Sequence, residues 1–464
     1  MPRPRARHRS FILLAFCSAL AACATAPEID QSGAPATGKP EIIGANGPLT
    51  AGQSKELLAQ ISDAPGDAGI LKRHMAIEQA VAETPLIAGN RTRILHDGVD
   101  AFRAMFADIR NAKRQVNLEY FIFEDVKSDG VALGDLLVAK RRQGVQVNII
   151  YDSYGSSGTP SAFFDRLKDA GVHLVEFNPI DPLAAKNGYD LNDRDHRKIL
   201  VVDGATAIVG GVNLSTAYQS NRFGKSGAPA DTPPTEHVRD TDLEIEGPAV
   251  AWLQRLFLDH WNQQQGQPLP TALFFPKIAA DGTEVIRIVG STPDKSIPRY
   301  YVTLLSAIRN AEKSVWLSAA YFVPTHQEKE DLSDAARRGV DVRLLLPDKS
   351  DSPRAIEVAH SAYSDLLEAG VKIYESHDVV LHSKTVVIDG VWTAIGSSNF
   401  DQRSIVFNDE VDAIVLGSAT SQIMQGMFED DIRNANRIDL AAWNDRPFWE
   451  KVEEMFSRIW QNML

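Results

Sequence analysis

The chain has 464 residues, 44% hydrophobic and 23% charged, with two Cys and a formal net charge of -13. That length exceeds what one hydrophobic core organises and points to two domains or a duplicated one; the composition excludes a disulfide-stapled scaffold and general disorder, and a mean hydropathy of -0.19 excludes a polytopic membrane protein. The acidic balance argues against sequence-independent binding to a nucleic-acid backbone, which needs a basic surface that releases counterions, so any phosphate chemistry must be local.

The amino terminus carries Arg3, Arg5, Arg7 and Arg9, then an apolar run over 11–20, then Leu20-Ala21-Ala22-Cys23. A positive stretch, a short apolar stretch and a small-residue cleavage site make residues 1–22 a signal peptide, and the run is too short to span a bilayer. The last four residues resemble the lipobox of bacterial lipoproteins, which implies lipidation of Cys23 and an exported, membrane-anchored protein facing the periplasm. Ala24 favours the outer membrane by the same resemblance. Cleavage removes four Arg, no acid and Cys17, which takes the charge to -17 and leaves no partner for an internal disulfide. Residues 23–56, rich in Gly and Pro, are predicted to be a flexible tether.

From residue 57 onward, strand-like and helix-like segments alternate in the pattern of an α/β fold. The chain then repeats itself at an offset of 199. Ile109-Arg110-Asn111-Ala112 before the strand VNLEYFIF matches Ile308-Arg309-Asn310-Ala311 before VWLSAAYFV, and Ala170-Gly171-Val172 matches Ala369-Gly370-Val371. Two tandem α/β domains, over 57–270 and 271–464, are the economical explanation. The Arg pairs 141–142 and 337–338 precede a Gly at predicted helix ends, where cations suit the helix dipole and Gly supplies the cap.

One motif occurs once in each half. His196, Lys198, Asp203, Gly210, Gly211 and Asn213 are matched at the same six offsets by His382, Lys384, Asp389, Gly396, Ser397 and Asn399. In both copies His and Lys lie two apart at the start of an apolar run, so a strand directs them to one face, and a Gly turn returns the Asn on a second strand. These residues resemble the two HKD motifs of the phospholipase D superfamily, over residues 86–464. Phrases such as DHRKILVVDG, RDTDLEIEGPAV and LHSKTVVIDG are most like bacterial cardiolipin synthases and phospholipase D-like lipoproteins. The resemblance implies two pseudo-twofold-related domains, each a mixed β-sheet flanked by helices, with one active site at their interface.

The chemistry also follows from the side chains. A phosphodiester needs its charge neutralised, a nucleophile in line and a proton for the departing alkoxide. One imidazole attacks phosphorus to give a phosphohistidine, while the other protonates the leaving alcohol and then deprotonates the acceptor. Lys198 and Lys384 hold the phosphoryl charge, with Asn213, Asn399 and Ser397 as neutral contacts. The resemblance gives attack to His196 and acid/base duty to His382, and counts Asp203 and Asp389 in the catalytic set; their place at strand ends favours fixing the hairpins. An imidazole needs a carboxylate on its other nitrogen. Glu410, 28 residues after His382, is read as the partner of His382, and Asp240, matched through Asp242 and Asp412, as the partner of His196.

No Cys/His cluster or HExxH spacing exists, so neither metal nor cofactor is expected. His173, His237, His260 and His377 are expected to be structural or on the surface. The loops at 180–195 and 219–237 are expected to shape substrate access, and the apolar stripe Phe448, Val452, Met455, Phe456, Ile459 and Trp460 to pack on the core. The resemblance implies a membrane phospholipid substrate, phosphatidylglycerol first, with transfer to a second lipid giving cardiolipin. Phospholipase D hydrolysis to phosphatidic acid is the alternative. A nuclease and a non-catalytic scaffold rank below both.

Overall fold

The computed structural model describes residues 41–62, 66–81, 84–181, 190, 192–219, 237–270, 274–293, 298–350 and 352–447. Cys23, the loop residues 182–189 and 220–236, and the carboxyl-terminal stripe lie outside them.

Two mixed sheets carry the chain, and their strand orders correspond. In the first, Leu86–Leu95, Asp242–Glu246, Thr206–Gly210, Lys198–Val202, Gln115–Tyr120, Gln146–Asp152 and His173–Phe177 follow one another across the sheet. In the second the order is Glu284–Ser291, Asn408–Leu416, Trp392–Gly396, Lys384–Ile388, Ser314–Ala319, Asp341–Pro347 and Lys372–Ser376, with Ala435–Arg437 added at the far edge. The last three matched strands of each sheet are parallel, so each pair needs a crossover helix. Leu133–Arg142 and Ser161–Asp169 supply these in the first half, His326–Arg337 and Pro353–Glu368 in the second. The two sheets join where Leu86–Leu95 pairs antiparallel with Glu284–Ser291.

Side-chain alternation then divides each motif strand between two cores. Leu200 and Val202 pack under the helices of the first half, while Ile199 and Val201 join Val387, Ile395, Val411 and Ala413 in a cluster shared between the halves. The interface is therefore an apolar core in its own right. The Arg pairs sit where expected: Gly144 and Gly339 hold left-handed φ values of 87° and 93° beyond the helix ends. Arg141 Nη1 donates to Val145 O and Arg338 Nη2 to Arg309 O, so these cations serve carbonyls.

Two expectations change before residue 86. The tether is ordered from Ile42, where Ile42–Gly44 pairs with the start of Leu86–Leu95 and Thr50 closes a capping box on the helix Ala51–Gln60. Leu57, Ile61 and the helix Asp67–Val81 pack on the second half: Leu71 and Met75 share a core with Val285, Leu304 and Ile308. Glu78 accepts from the Trp392 indole and faces Arg287. Sequence adjacency alone favoured the first domain.

Asp203 and Asp389 act as hairpin anchors and touch no other motif residue's side chain among the described contacts. The Asp203 carboxylate accepts from the backbone N–H groups of Lys113, Arg114 and Gln115 at 2.7–2.9 Å. Asp389 accepts from Glu312, Lys313 and Ser314 and also faces His74 Nε2 at 3.1 Å. Each carboxylate ties the motif turn to the start of the neighbouring strand. Asp389→Ala removes the acceptor of three backbone donors, one buried and two half-buried, together with the partner of buried His74, and we expect it to lower unfolding free energy by about 1–3 kcal/mol, read as a lower urea midpoint at unchanged m-value; an unchanged midpoint refutes the anchor.

Candidate active site

His196 and His382 stand immediately before the strands Lys198–Val202 and Lys384–Ile388, each in a short parallel pairing with the other half. Arg194–Asp195 pairs with the start of Asn408–Leu416, and Val238–Arg239 pairs with Val380–Leu381. The His196 amide donates to Asp409 O at 2.9 Å and the His382 amide to Arg239 O at 2.7 Å. The next residue on each partner strand is the acid.

The carboxylate partners are consequently crossed relative to the sequence reading. His196 Nδ1 meets Glu410 Oε2 at 3.0 Å, and His382 Nδ1 meets Asp240 Oδ2 at 2.7 Å. The matching of Asp240 with Glu410 was sound, but strand addition across the pseudo-twofold delivers each acid to the opposite half. With Nδ1–H directed at a carboxylate, Nε2 is the nitrogen left for chemistry.

The residue behind each acid explains the Gly/Ser difference between the motifs. A Cβ at Gly211 would lie 2.1 Å from Asp240 Oδ1, so the shorter acid, held close to the backbone, requires Gly. At the matched place Ser397 donates its hydroxyl to the longer Glu410 and accepts from Val411 N. The one hydroxyl proton of Ser397 is therefore spent on Glu410, which corrects its assignment as a phosphate contact: it fixes Glu410. Gly210 and Gly396 are likewise required, since a Cβ would meet Asp242 Oδ1 at 2.3 Å and Asp412 Oδ1 at 2.0 Å.

Electrostatics bring both motifs into one centre. Burial pushes the His196 pKa down to about 4 against the opposing pull of Glu410, with Lys198 and Lys384 both adding to the fall. His382 is lowered by burial and Lys384, Asp240 opposes, and Lys198 contributes from the other half. Both shifts favour the neutral imidazole in the free site, and the negative charge of an arriving phosphodiester favours protonation of the one that serves as acid. Burial and the nearby Lys384 also bring Lys198 down to about 7, with Glu410 opposing. An arriving phosphodiester favours the charged ammonium. Burial raises Glu410 and Asp240, but the facing His and Lys charges outweigh it and hold both carboxylates below their ordinary values.

Asn213 Oδ1 accepts from Ile122 N at 3.2 Å, so its amide N–H groups are its donors, and the side chain also bonds to Tyr218 beside His382. Asn399, on the other motif, lines a cavity of about 530 Å³ together with His196, Phe121 and Tyr321. The Phe121 ring meets His196 edge-on at 5.3 Å, and Tyr321 meets His382 at 6.4 Å.

Several supporting residues were not identified from sequence. The Tyr218 hydroxyl lies 2.9 Å from His382 Nδ1, and Ser404 Oγ donates to Glu410 Oε1 at 2.7 Å. Both fall five residues after a motif Asn, an offset that could have revealed them. Asn408 Nδ2 adds another donor to Glu410. Beneath His196, buried Arg197 donates to Asp409 Oδ1, Glu119 Oε1, Ser291 O and Glu410 O. His260, assigned a structural role, is buried with its Nδ1 2.8 Å from Glu119. Glu119, Asp195 and His260 offer ligand atoms within 4.8 Å of one another, the grouping among the described residues able to hold a metal ion. The Arg197 guanidinium already supplies positive charge there. His173 and His377 bond to Asn148 and Asp378, away from the motifs.

Two imidazoles backed by carboxylates, two Lys and two Asn around one centre define a phosphodiester-transfer site built from matched halves. The chain matches the family described as "Cardiolipin synthase, PLD-like domain" over residues 105–223 and 304–432, and it belongs to that family. It is 34% identical to the cardiolipin synthase of Geobacillus kaustophilus over 390 residues, 83% of this chain and 74% of that one. It is 32% identical to cardiolipin synthase 2 of Bacillus cereus over 378 residues, 80% and 70% of the two chains. The phosphatidylserine synthase structure from Haemophilus influenzae shares the fold, with a TM-score of 0.60 at 14% identity, over 84% of this chain and 98% of that one.

The crossed pairing is checked with ¹⁵N-histidine NMR. Glu410→Gln is expected to shift the His196 ring nitrogens while leaving His382 in place, and Asp240→Asn to do the reverse, each with a loss of about 10²-fold or more in kcat. Shifts at the His of the same half would restore the uncrossed pairing.

Proposed function

We propose that the protein is a phospholipase D-type phosphatidyltransferase that makes cardiolipin from two molecules of phosphatidylglycerol. The observation that carries this reading is the pair of His–carboxylate couples facing one centre with two Lys, in a chain that matches cardiolipin synthases over most of its length.

In the first step an imidazole Nε2 attacks phosphorus, the bond to the glycerol oxygen breaks, and the opposite imidazolium protonates that oxygen. In the second, the same imidazole, now neutral, takes the proton of an incoming hydroxyl. That oxygen attacks phosphorus and the P–N bond breaks, which restores the enzyme. His196 is assigned the attack and His382 the proton transfers, following the family resemblance. Lys198, Lys384 and the Asn213 and Asn399 amides neutralise the phosphoryl oxygens in a buried site where such contacts are strong. An oriented lipid hydroxyl reaches an effective concentration that bulk water does not, which favours transfer over hydrolysis.

Purified enzyme in phosphatidylglycerol vesicles with EDTA should accumulate cardiolipin and glycerol, and His196→Ala or His382→Ala should each cost several orders of magnitude. Phosphatidic acid as sole product would replace the synthase with a phospholipase. Loss in EDTA, restored by a defined divalent ion, would overturn the metal-free step.

The placement is an exported lipoprotein anchored through Cys23, facing the periplasm and favouring the outer membrane. The motif Leu20-Ala21-Ala22-Cys23 supports it, and no helix among the described residues is long and apolar enough to cross a membrane. Native protein should sediment with membranes and band with the outer-membrane fraction on a density gradient, and Cys23→Ser should release it; an unlipidated soluble native form refutes the anchor.

A further inference from the structure

The cavity beside His196 breaks the pseudo-twofold in charge. Arg194 and Arg403 both line it, with Asn192, Tyr154 and Asn399. Arg194 lies two residues before His196 on extended chain, a step of about 6.6 Å that returns side chains to the same side. Arg403 lies four residues after Asn399. The matched positions in the other half are Val380, two before His382, and Ala217, four after Asn213, neither of them charged.

Both guanidinium groups are held in place. Arg403 Nη2 donates to Asn192 O at 3.0 Å, and Arg194 Nη1 donates to Asp193 O at 2.8 Å while the group sits 5.1 Å from the Tyr154 ring centre. The carboxylate sharing the lining, Asp401, accepts from Ser404 N at 2.8 Å at the start of its own short helix, and burial pushes its pKa up to about 6 against the opposing charge of Arg403. The reacting phosphate engages Lys198 and Lys384. A product with two phosphodiesters bridged by three carbons places a second anion close by, and an acidic chain must supply local cations to accept it.

We propose that Arg194 and Arg403 bind the phosphodiester of the acceptor lipid, and so select an anionic phosphatidylglycerol over a neutral alcohol or water as the group that resolves the phosphohistidine. This rests on the cardiolipin reading and names its acceptor site. Arg suits the task because its planar fork meets phosphate oxygens two at a time.

The test is a competition in which phosphatidylglycerol vesicles and 1-butanol share one reaction. Both acceptors resolve the same intermediate, so the ratio of cardiolipin to phosphatidylbutanol reports acceptor choice whatever fraction of the enzyme is active. Arg194→Gln and Arg403→Gln should each shift that ratio at least ~10-fold toward phosphatidylbutanol, and Arg403→Lys should shift it less. If either glutamine variant yields neither product, the Arg194→Lys and Arg403→Lys ratios carry the reading, and a shift in the same direction supports it. An unchanged ratio overturns the acceptor site. Wild-type enzyme that forms phosphatidylbutanol but no cardiolipin overturns the cardiolipin reading itself, and this site with it.

Discussion

The active site depends on one exchange between the halves, in which each contributes a short parallel stretch that holds the other's catalytic His. The His196 amide is fixed by Asp409 O and the His382 amide by Arg239 O, and the residue after each carbonyl supplies the carboxylate. Neither half therefore contains a finished imidazole–carboxylate couple. The apolar cluster of Ile199, Val201, Val387 and Val411 buries the seam against water, which strengthens every charge–charge contact above it.

The two copies solve the same steric problem in different ways. Asp240 lies against a bare Gly211, while Glu410 is longer and is held by the Ser397, Ser404 and Asn408 side chains. The backing of each His is thus conserved in geometry while the residues differ. The copies also differ where substrates approach, because Arg194 and Arg403 occupy places taken by Val380 and Ala217. The acceptor site proposed above rests on this difference beside a matched pair of His and Lys.

Much of the support beneath His196 is charge held out of water. Arg197 is 1% exposed and is surrounded by Glu119, Asp409 and two backbone carbonyls, so its desolvation is offset by several short contacts at once. Breaking such a buried pair costs about 3–5 kcal/mol, because the partner is left charged and alone. Asp412 is pushed up to about 8 by burial, with the charge of Glu410 adding to the rise against the Ser398 hydrogen bonds.

By itself the sequence determined the duplication, the α/β class, both motif hairpins and the identity of the His, Lys and Asn groups, because these rest on spacing along one strand or one repeat. Asp203 and Asp389 were legible as anchors for the same reason, standing at the turn they fix. The tertiary structure alone decided which acid serves which His, since the two candidates match in sequence and only the pairing of 194–195 with 408–409 and of 238–239 with 380–381 sends them across the seam. It likewise placed the helix Asp67–Val81 on the second half and Ser397 behind Glu410, and it gathered Arg197, His260 and Glu119 under His196. Those contacts join residues tens to hundreds of positions apart, and local periodicity carries no information about a partner that arrives only when two sheets meet.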